Sequence, residues 1–591
     1  MSIEQWIIFG TLVLTLVLFI QGRWRYDLVA LLALLIVVLT GLVPIERAFI
    51  GFSNPAVVTV AAVLVVSRAL QNSGVVDLIG EWLLSLKGGR LIQLTALTGI
   101  TAVLSAFMNN VGALALLLPV AIQITRKKNI PASTLLMPLA FASLLGGMTT
   151  LIGTPPNIII ASFRENSSAA SFSMFDFSPV GVGVALAGLL FIVLIGWRLI
   201  PIRRARSNSQ DLFEIEKYIT EVRIPENSKL NGTKLSQIHT CLENGTNVIG
   251  LVRSGERRFA PALQTKFKTN DILILEADTE DLDNLLSKAG LELVGSESIE
   301  RADLESDEIT LLEAVVTPNS LMVGQTAYSL DLRKRYGVNL LAISRQDQRL
   351  WARLDRIRFQ GGDALLLQSH LGTAKDVLER LGCLPLAQRN LRLGQPRRIL
   401  TSLLIFGSAL VLAAIGLIPV QVTFVGAALI MTALGFITLR EAYQSIDLPI
   451  IILLGAMIPV GEAMETSGGA QLLADSLLHI SAQMPPAGIL FVVLVGTMFL
   501  SDLVNNAAAV VLMAPIGISV AHSLSVSVDP FLMAIAIGAS CAFLTPIGHQ
   551  SNALVMGPGG YRFGDYWRMG LLLEMIVAAV AIPLILVFWH F

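Results

Sequence analysis

Two pairs of adjacent asparagines interrupt long apolar stretches: Asn109-Asn110, before Val111-Gly112-Ala113, and Asn505-Asn506, before Ala507-Ala508-Ala509. Each pair opens an apolar run that reaches Pro119 or Pro515. A polar pair before such a run reads as a helix N-terminus, where asparagine is a good cap. The unpaired N–H groups and the positive dipole end found there attract an anion. The asparagine amides add N–H donors for an anion and C=O acceptors for a cation. Asn109, Asn110, Asn505 and Asn506, with Gly112 and Ala508 just behind them, are candidate anion-binding positions.

Each pair is followed by a second polar interruption, Gly146-Gly147-Met148-Thr149-Thr150-Leu151-Ile152-Gly153-Thr154-Pro155-Pro156-Asn157 and Thr545-Pro546-Ile547-Gly548-His549-Gln550-Ser551-Asn552. Gly and Pro break a helix in mid-span and free backbone carbonyls. At membrane depth such backbone is tolerated only where it is buried or lines a cavity. Freed carbonyls with Thr and Asn oxygens suit a bare sodium ion, which makes Thr150, Gly153, Asn157, Thr545, Gly548 and Asn552 candidate ligands. Thr154 and His549 join the anion candidates. His549 could carry a proton or be a satisfied polar residue. Asp502, near the second asparagine pair, is either a functional carboxylate or a structural hydrogen-bond acceptor. No Lys or Arg lies in any of these four stretches. An anion there would be held by neutral donors, helix ends and cotransported cations.

The elements that must position these residues are membrane helices. The chain has 591 residues, 54% hydrophobic and 14% charged, against roughly 25% charged in a soluble domain; mean hydropathy is +0.70. Spans of about 20 apolar residues are expected near 3–20, 26–43, 54–70, 134–163, 176–200, 399–416, 420–437, 448–465, 529–556 and 566–590. The first lacks a basic start and a cleavage site and reads as a retained helix rather than a signal peptide. Arg23 and Arg25, Lys87 and Arg90, Arg126 to Lys128, Arg198 to Arg206, Arg397 and Arg398, and Arg562 and Arg568 fit one positive-inside topology. It puts both ends of 91–125 on the inside and both ends of 485–524 on the outside, as re-entrant hairpins, with both termini outside. Cys241, Cys383 and Cys541 show no metal or redox spacing, so disulfides are not expected.

The two halves repeat. Residues 41–49 match 435–443 and 69–74 match 463–468, both at an offset of 394; the asparagine pairs and Pro119/Pro515 match at 396, and Gly153/Asn157 match Gly548/Asn552 at 395. In the topology above the repeats are inverted, the architecture of secondary transporters with a site near the midplane. The expected fold is a polytopic α-helical membrane protein of two inverted repeats, each with a re-entrant hairpin and a broken helix, and an α+β soluble insert. The transmembrane repeats fall at 1–202 and 396–591. Between them, 207–298 and 299–390 repeat at an offset of 92: Ser228/Gly232 with Ser320/Gly324, Asn247 with Asn339, and Asp271 with Asp363. Short β-rich runs between charged helical stretches suggest small α+β units.

At the asparagine pairs and the Gly-Thr-Pro-Pro-Asn break the chain resembles the divalent anion/sodium symporter family. Members carry Ser-Asn-Thr at each tip. Here Asn109-Asn110-Val111 and Asn505-Asn506-Ala507 keep the central Asn and lose both hydroxyls, which argues against dicarboxylates. Thr545 to Asn552 and Gly557-Pro558-Gly559-Gly560-Tyr561-Arg562-Phe563 resemble the sulfate branch. The resemblance implies one sodium site with Asn110 and Asn157 and another with Asn506 and Asn552, a homodimer, and elevator-type motion. The insert resembles two TrkA C-terminal regulatory domains and lacks a Gly-x-Gly-x-x-Gly fingerprint. It is either a sensor of a small ligand such as a nucleotide, or a dimerising module.

The expected function is symport of a small divalent anion, sulfate first, with Na+ or else H+, across the plasma or inner membrane, with the insert cytoplasmic. A dicarboxylate symporter and a Na+/H+ antiporter are the alternatives on the same fold. A potassium channel is opposed by the absence of a Thr-Val-Gly-Tyr-Gly filter, and an enzyme by the absence of a His-Glu-x-x-His motif or another nucleophile–base set. Neither nucleic acid nor a further cofactor is expected.

Overall fold

The structure is a computed structural model that describes all residues except 22–23, 129, 169–170, 203–218, 235–246, 254–255, 260–263, 277–289, 294–308, 319, 346–347, 350–356, 371–373, 387–395 and 481–483. Arg23, Cys241, the basic residues at 203–206 and the 298/299 boundary lie outside the described residues. The chain forms two compact units, one of Met1–Ile202, Asn390–Val555 and Arg562–Phe591, the other of Arg203–Arg389 and Met556–Tyr561.

The first unit is helical, and nine of its described helices are long and apolar enough to cross a membrane. The chain is a multi-pass membrane protein. The same element order runs twice. In the first pass come Ile3–Gln21, Tyr26–Leu39, Pro55–Asn72, the hairpin arms Arg90–Phe107 and Asn110–Lys128, the broken helix Ser133–Gly147 and Pro155–Ser168, and Ser178–Phe191. In the second come Pro396–Ala414, Val420–Ala433, Leu448–Thr466, the arms Pro486–Leu503 and Asn506–Ser523, the broken helix Asp529–Ala539 and Gln550–Gly559, and Tyr566–Phe588.

The glycines of the sequence repeat mark the turns. Gly41 and Gly435 take φ of 80° and 73°, and Gly74 and Gly468 take 91° and 72°, a region open to Gly and costly for other residues. After Gly74 and Gly468 the structure adds Val75–Ser85 and Gly469–Ile480. These amphipathic helices have only 11 and 12 residues, too few to cross a membrane.

The repeats interlock. Tyr26–Leu39 packs on Leu448–Thr466, and its counterpart Val420–Ala433 packs on Pro55–Asn72. Within each repeat the first hairpin arm packs on the first half of the broken helix: Arg90–Phe107 on Ser133–Gly147, and Pro486–Leu503 on Asp529–Ala539. The outward faces of the peripheral helices carry large exposed apolar residues, among them Leu28, Leu32, Leu35 and Leu39, as a lipid-facing surface requires. Every residue of Ser133–Gly147 is buried, so the broken helices form the centre.

Among the described residues the second unit holds two five-stranded antiparallel sheets. The first comprises β1 (Ile219–Arg223), β2 (Asn247–Arg253), β3 (Glu256–Phe259), β4 (Ile272–Glu276) and β5 (Glu292–Leu293). The second comprises β6 (Ile309–Val316), β7 (Asn339–Arg345), β8 (Gln348–Arg349), β9 (Ala364–His370) and β10 (Cys383–Pro385). Their strand orders, β3-β2-β4-β1-β5 and β8-β7-β9-β6-β10, are the same. Arg253 clasps Asp271 through two bonds of 2.8 and 2.7 Å, and Arg345 clasps Asp363 through two of 2.7 and 2.8 Å. The four residues keep the offset of 92 seen in the sequence. Burial pushes the Cys383 thiol up to about 12.

Candidate functional site

Each asparagine pair divides its labour. The first residue caps the helix: Asn109 Oδ1 accepts from the Val111 N–H at 3.2 Å and Asn505 Oδ1 from the Ala507 N–H at 2.9 Å. The second points into the protein, with Asn110 and Asn506 only 1% and 5% exposed. The caps form because the chain is extended just before each helix, at Met108 and Val504. That geometry lets a short polar side chain reach the N–H two residues on.

The breaks fold around the tips in the same way twice. Ser105 Oγ donates to Ser143 O at 2.7 Å, and Ser501 Oγ to Ala539 O at 2.6 Å. Thr150 Oγ1 donates to Ala106 O, and Thr545 Oγ1 to Asp502 O. Asn157 Nδ2 donates to Thr150 O at 2.8 Å and Met148 O at 3.3 Å. Asn552 Nδ2 donates to Ala542 O at 2.7 Å and Thr545 O at 3.1 Å. In both breaks the other amide atom, Asn157 Oδ1 or Asn552 Oδ1, is buried with no hydrogen-bond partner. A buried, unpaired carbonyl oxygen is costly and is an available cation ligand.

Glycine makes the closeness feasible. A Cβ on Gly153 would collide with Gly147 O and stand 2.9 Å from Ser105 O and 3.0 Å from Ala106 O. On Gly548 it would stand 2.7 Å from Ser501 O and 3.1 Å from the Asp502 Cα. A Cβ on Gly147 would overlap the Asn110 amide. Three carbonyls thus crowd Gly153 and one faces Gly548; freed carbonyls of this kind are the ligands by which unwound helices hold Na+.

The anion candidates are less uniform. Thr154 Oγ1 and Asn506 Nδ2 are buried without a hydrogen-bond partner, so two neutral donors are available. Asn109 and Gly153, with Val60, Leu64, Pro155 and Ile450, line a cavity. Gly112 is half-buried beside Gln71, and Ala508 is fully buried. His549 Nδ1 accepts from the Ser551 N–H at 3.0 Å, and its Nε2 lies 3.4 Å from the Asn110 amide. The first tip and the second break therefore meet across the repeats, as do Ser143 and Ser551, whose hydroxyls are 3.4 Å apart. Asp502 Oδ1 accepts from the Leu544 N–H at 2.9 Å, and its carboxyl pairs with that of Glu574.

Ser105 and Ser501 precede the asparagine pairs at the same offset of 396, and that recurrence is the signal in the sequence that marks them. Gln71 and Arg68, whose guanidinium donates to Gln71 Oε1 at 3.4 Å, carry no such signal. Among the described residues no cluster of three His, Cys, Asp or Glu is placed to hold a metal.

The sequence profile of the citrate transporter family matches residues 16–538 and 482–591. An uncharacterized transporter of Synechocystis sp. (strain ATCC 27184 / PCC 6803 / Kazusa) is 33% identical, over 98% of this chain and 95% of its own. A putative sulfur deprivation response regulator of Chlamydomonas reinhardtii is 28% identical over 97% of this chain and 99% of its own. Sodium/sulfate cotransporter 2 of the same alga is 28% identical over 56% of this chain and 39% of its own.

Proposed function

This chain belongs to the citrate transporter family, and from that premise we propose that it imports a small divalent inorganic anion, sulfate first, by symport with Na+. One observation carries the reading: two breaks at corresponding positions, with three carbonyls at Gly153 and one at Gly548, each holding one orphaned asparagine oxygen, Asn157 Oδ1 or Asn552 Oδ1. Sodium occupies one site formed by Asn110, Thr150, Gly153 and Asn157 and another by Asn506, Thr545, Gly548 and Asn552. The anion lies between the tips, bound by Thr154, Asn506 and the capped helix starts behind Asn109 and Asn505. Bound cations supply the positive charge that no Lys or Arg in these stretches supplies. The sodium/sulfate cotransporters among the relatives support sulfate. Citrate is the second reading, favoured by the name of the family profile.

The transmembrane repeats 1–202 and 396–591 move as an elevator in a homodimer of the plasma or inner membrane. The modules 207–298 and 299–390, of TrkA C-terminal type, lie on the cytoplasmic side and bind a regulatory ligand such as a nucleotide. The experiment is uptake of labelled sulfate and labelled citrate into proteoliposomes with a sodium gradient, a proton gradient or neither. Sulfate uptake that needs sodium, and is lost in Asn110→Ala and in Asn506→Ala, is the expected result. Citrate uptake alone would move the substrate to the second reading. Uptake driven only by protons would remove sodium from the mechanism.

A further inference from the structure

The Asn110 amide sits between two different neighbourhoods. One of its terminal atoms lies 2.8 Å from Ser105 Oγ, 3.1 Å from Ser143 O and 3.3 Å from Gly153 O. The other lies 3.4 Å from His549 Nε2. Asn110, Ser105 and Ser143 are at most 1% exposed and His549 is 8% exposed, so these groups must satisfy one another.

The proton inventory fixes the arrangement that satisfies every group without a cation. Ser105 has one hydroxyl proton, and Ser143 O takes it at 2.7 Å. Its counterpart Ser501 gives its proton to Ala539 O in the same way. The atom of Asn110 facing Ser105 Oγ must then be a donor, Nδ2, surrounded by three oxygen acceptors. Oδ1 therefore faces His549. His549 Nδ1 already accepts from the Ser551 N–H at 3.0 Å, so a neutral imidazole carries its proton on Nε2 and donates it to Asn110 Oδ1. The result is an unbroken chain from Ser551 through His549, Asn110 and Ser105 to Ser143.

A sodium ion reverses the requirement. Next to Gly153 O and Ser143 O it calls for the amide oxygen, not the N–H, and an N–H there repels it. Rotating the amide by half a turn brings Oδ1 into the cradle. It also turns Nδ2–H toward the N–H of His549, which breaks that bond and sets donor against donor. We infer that His549, carried by the second repeat, is a positioning residue that holds the Asn110 amide in the orientation that plugs the first cation cradle, so that sodium binding there has to rotate the amide and break its bond to His549. The inference rests on the sodium-symport reading and names the control of that same site.

The second repeat has no such lock. Asn506 Oδ1 turns back to the Ala507 N–H at 2.9 Å, and its Nδ2 has no partner. At the repeat offset of 395 the position of His549 is taken by Thr154, whose hydroxyl also has no partner. The two cradles thus bind sodium with different affinities, the unlocked second one more tightly.

The experiment measures the half-saturating sodium concentration for uptake, and independently the sodium-induced rise in melting temperature, for wild type, His549→Leu, His549→Gln and Asn110→Asp. Loss of one hydrogen bond that favours the plugged state is expected to lower half-saturating sodium about fivefold to tenfold in His549→Leu. His549→Gln, whose terminal N–H occupies the place of Nε2–H, stays within about twofold of wild type on the same ground. Asn110→Asp has no N–H to plug the cradle, so adding His549→Leu to it shifts half-saturating sodium no further. The Michaelis constant for the anion at saturating sodium is unchanged in His549→Leu. A wild type with no sodium-dependent uptake and no sodium-induced thermal shift overturns the symport reading itself. Where the wild type shows both, an unchanged or weaker sodium response in His549→Leu overturns the inference alone. So does a raised Michaelis constant for the anion with sodium unchanged, which would make His549 an anion ligand.

Discussion

Two glycines set the reach of the proposed cation cradles. A methyl group at Gly153 meets three carbonyl oxygens, those of Gly147, Ser105 and Ala106, and one at Gly548 meets Ser501 O. Oxygens displaced by a side chain no longer converge on a cation. Overpacking of this kind costs roughly 1–3 kcal/mol, which, where it falls on the sodium-bound state, is about fivefold to 150-fold in affinity. Gly153→Ala and Gly548→Ala are therefore expected to raise half-saturating sodium by that factor, read from sodium titration of uptake. A variant at either position with wild-type sodium dependence would remove that break from the cation sites. The glycines and asparagines were legible in the sequence because they recur at offsets of 395 and 396 in otherwise apolar helices. Ser105 and Ser501 recur equally well, but a serine in a helix is most often bonded to its own preceding turn. Only the fold shows their hydroxyls crossing to Ser143 O and Ala539 O.

Helix starts at the tips separate folding from function within two adjacent residues. Asn505 caps Asn506–Ser523 through the Ala507 N–H, whereas Asn506 leaves a buried N–H unpaired. Removing a cap costs about 1 kcal/mol. Asn505→Ala is expected to lower the melting temperature of the detergent-solubilised chain, and Asn505→Ser to restore it. Asn506→Ala keeps the cap, so its melting temperature stays near wild type while anion uptake is lost. The reverse pattern would exchange the two roles. The sequence located both tips, since a polar pair before an apolar run is a strong start signal. It did not anticipate Val75–Ser85 and Gly469–Ile480, whose apolar residues line one face and are too few for a span. The Ser-Gly steps before them, Ser73-Gly74 and Ser467-Gly468, were visible as a repeat, yet their left-handed turns could be assigned only with the backbone in hand.

At the scale of the membrane unit, the repeats hold each other by exchange, each lending its second helix to the third helix of the other. Packing of this kind follows from tertiary geometry and leaves little trace in hydropathy, because every partner is apolar. An ion pair adds to it and breaks the symmetry. Arg164, at the end of the first broken helix, clasps Asp529, at the start of the second, through two bonds of 2.7 Å. Its guanidinium also lies 4.4 Å from the centre of the Phe172 ring, and that ring meets Trp589 edge-on at 5.3 Å. Repeat logic could not find this pair, because at an offset of 395 the counterparts are Gly559 and Thr134. Both side chains are less than one-fifth exposed, so a lone guanidinium left there would be poorly solvated. Bonds to a charged group are worth about 1.5–3 kcal/mol. Asp529→Asn is expected to lose about that much stability, read as a lower melting temperature of the full chain. Pairing Asp529→Leu with Arg164→Met should recover most of the loss, since apolar residues of similar volume often replace a buried ion pair without penalty. If the double variant melts lower than Asp529→Asn, the link contributes more than charge pairing, and the stacking of Arg164 on Phe172 is the contact to test next.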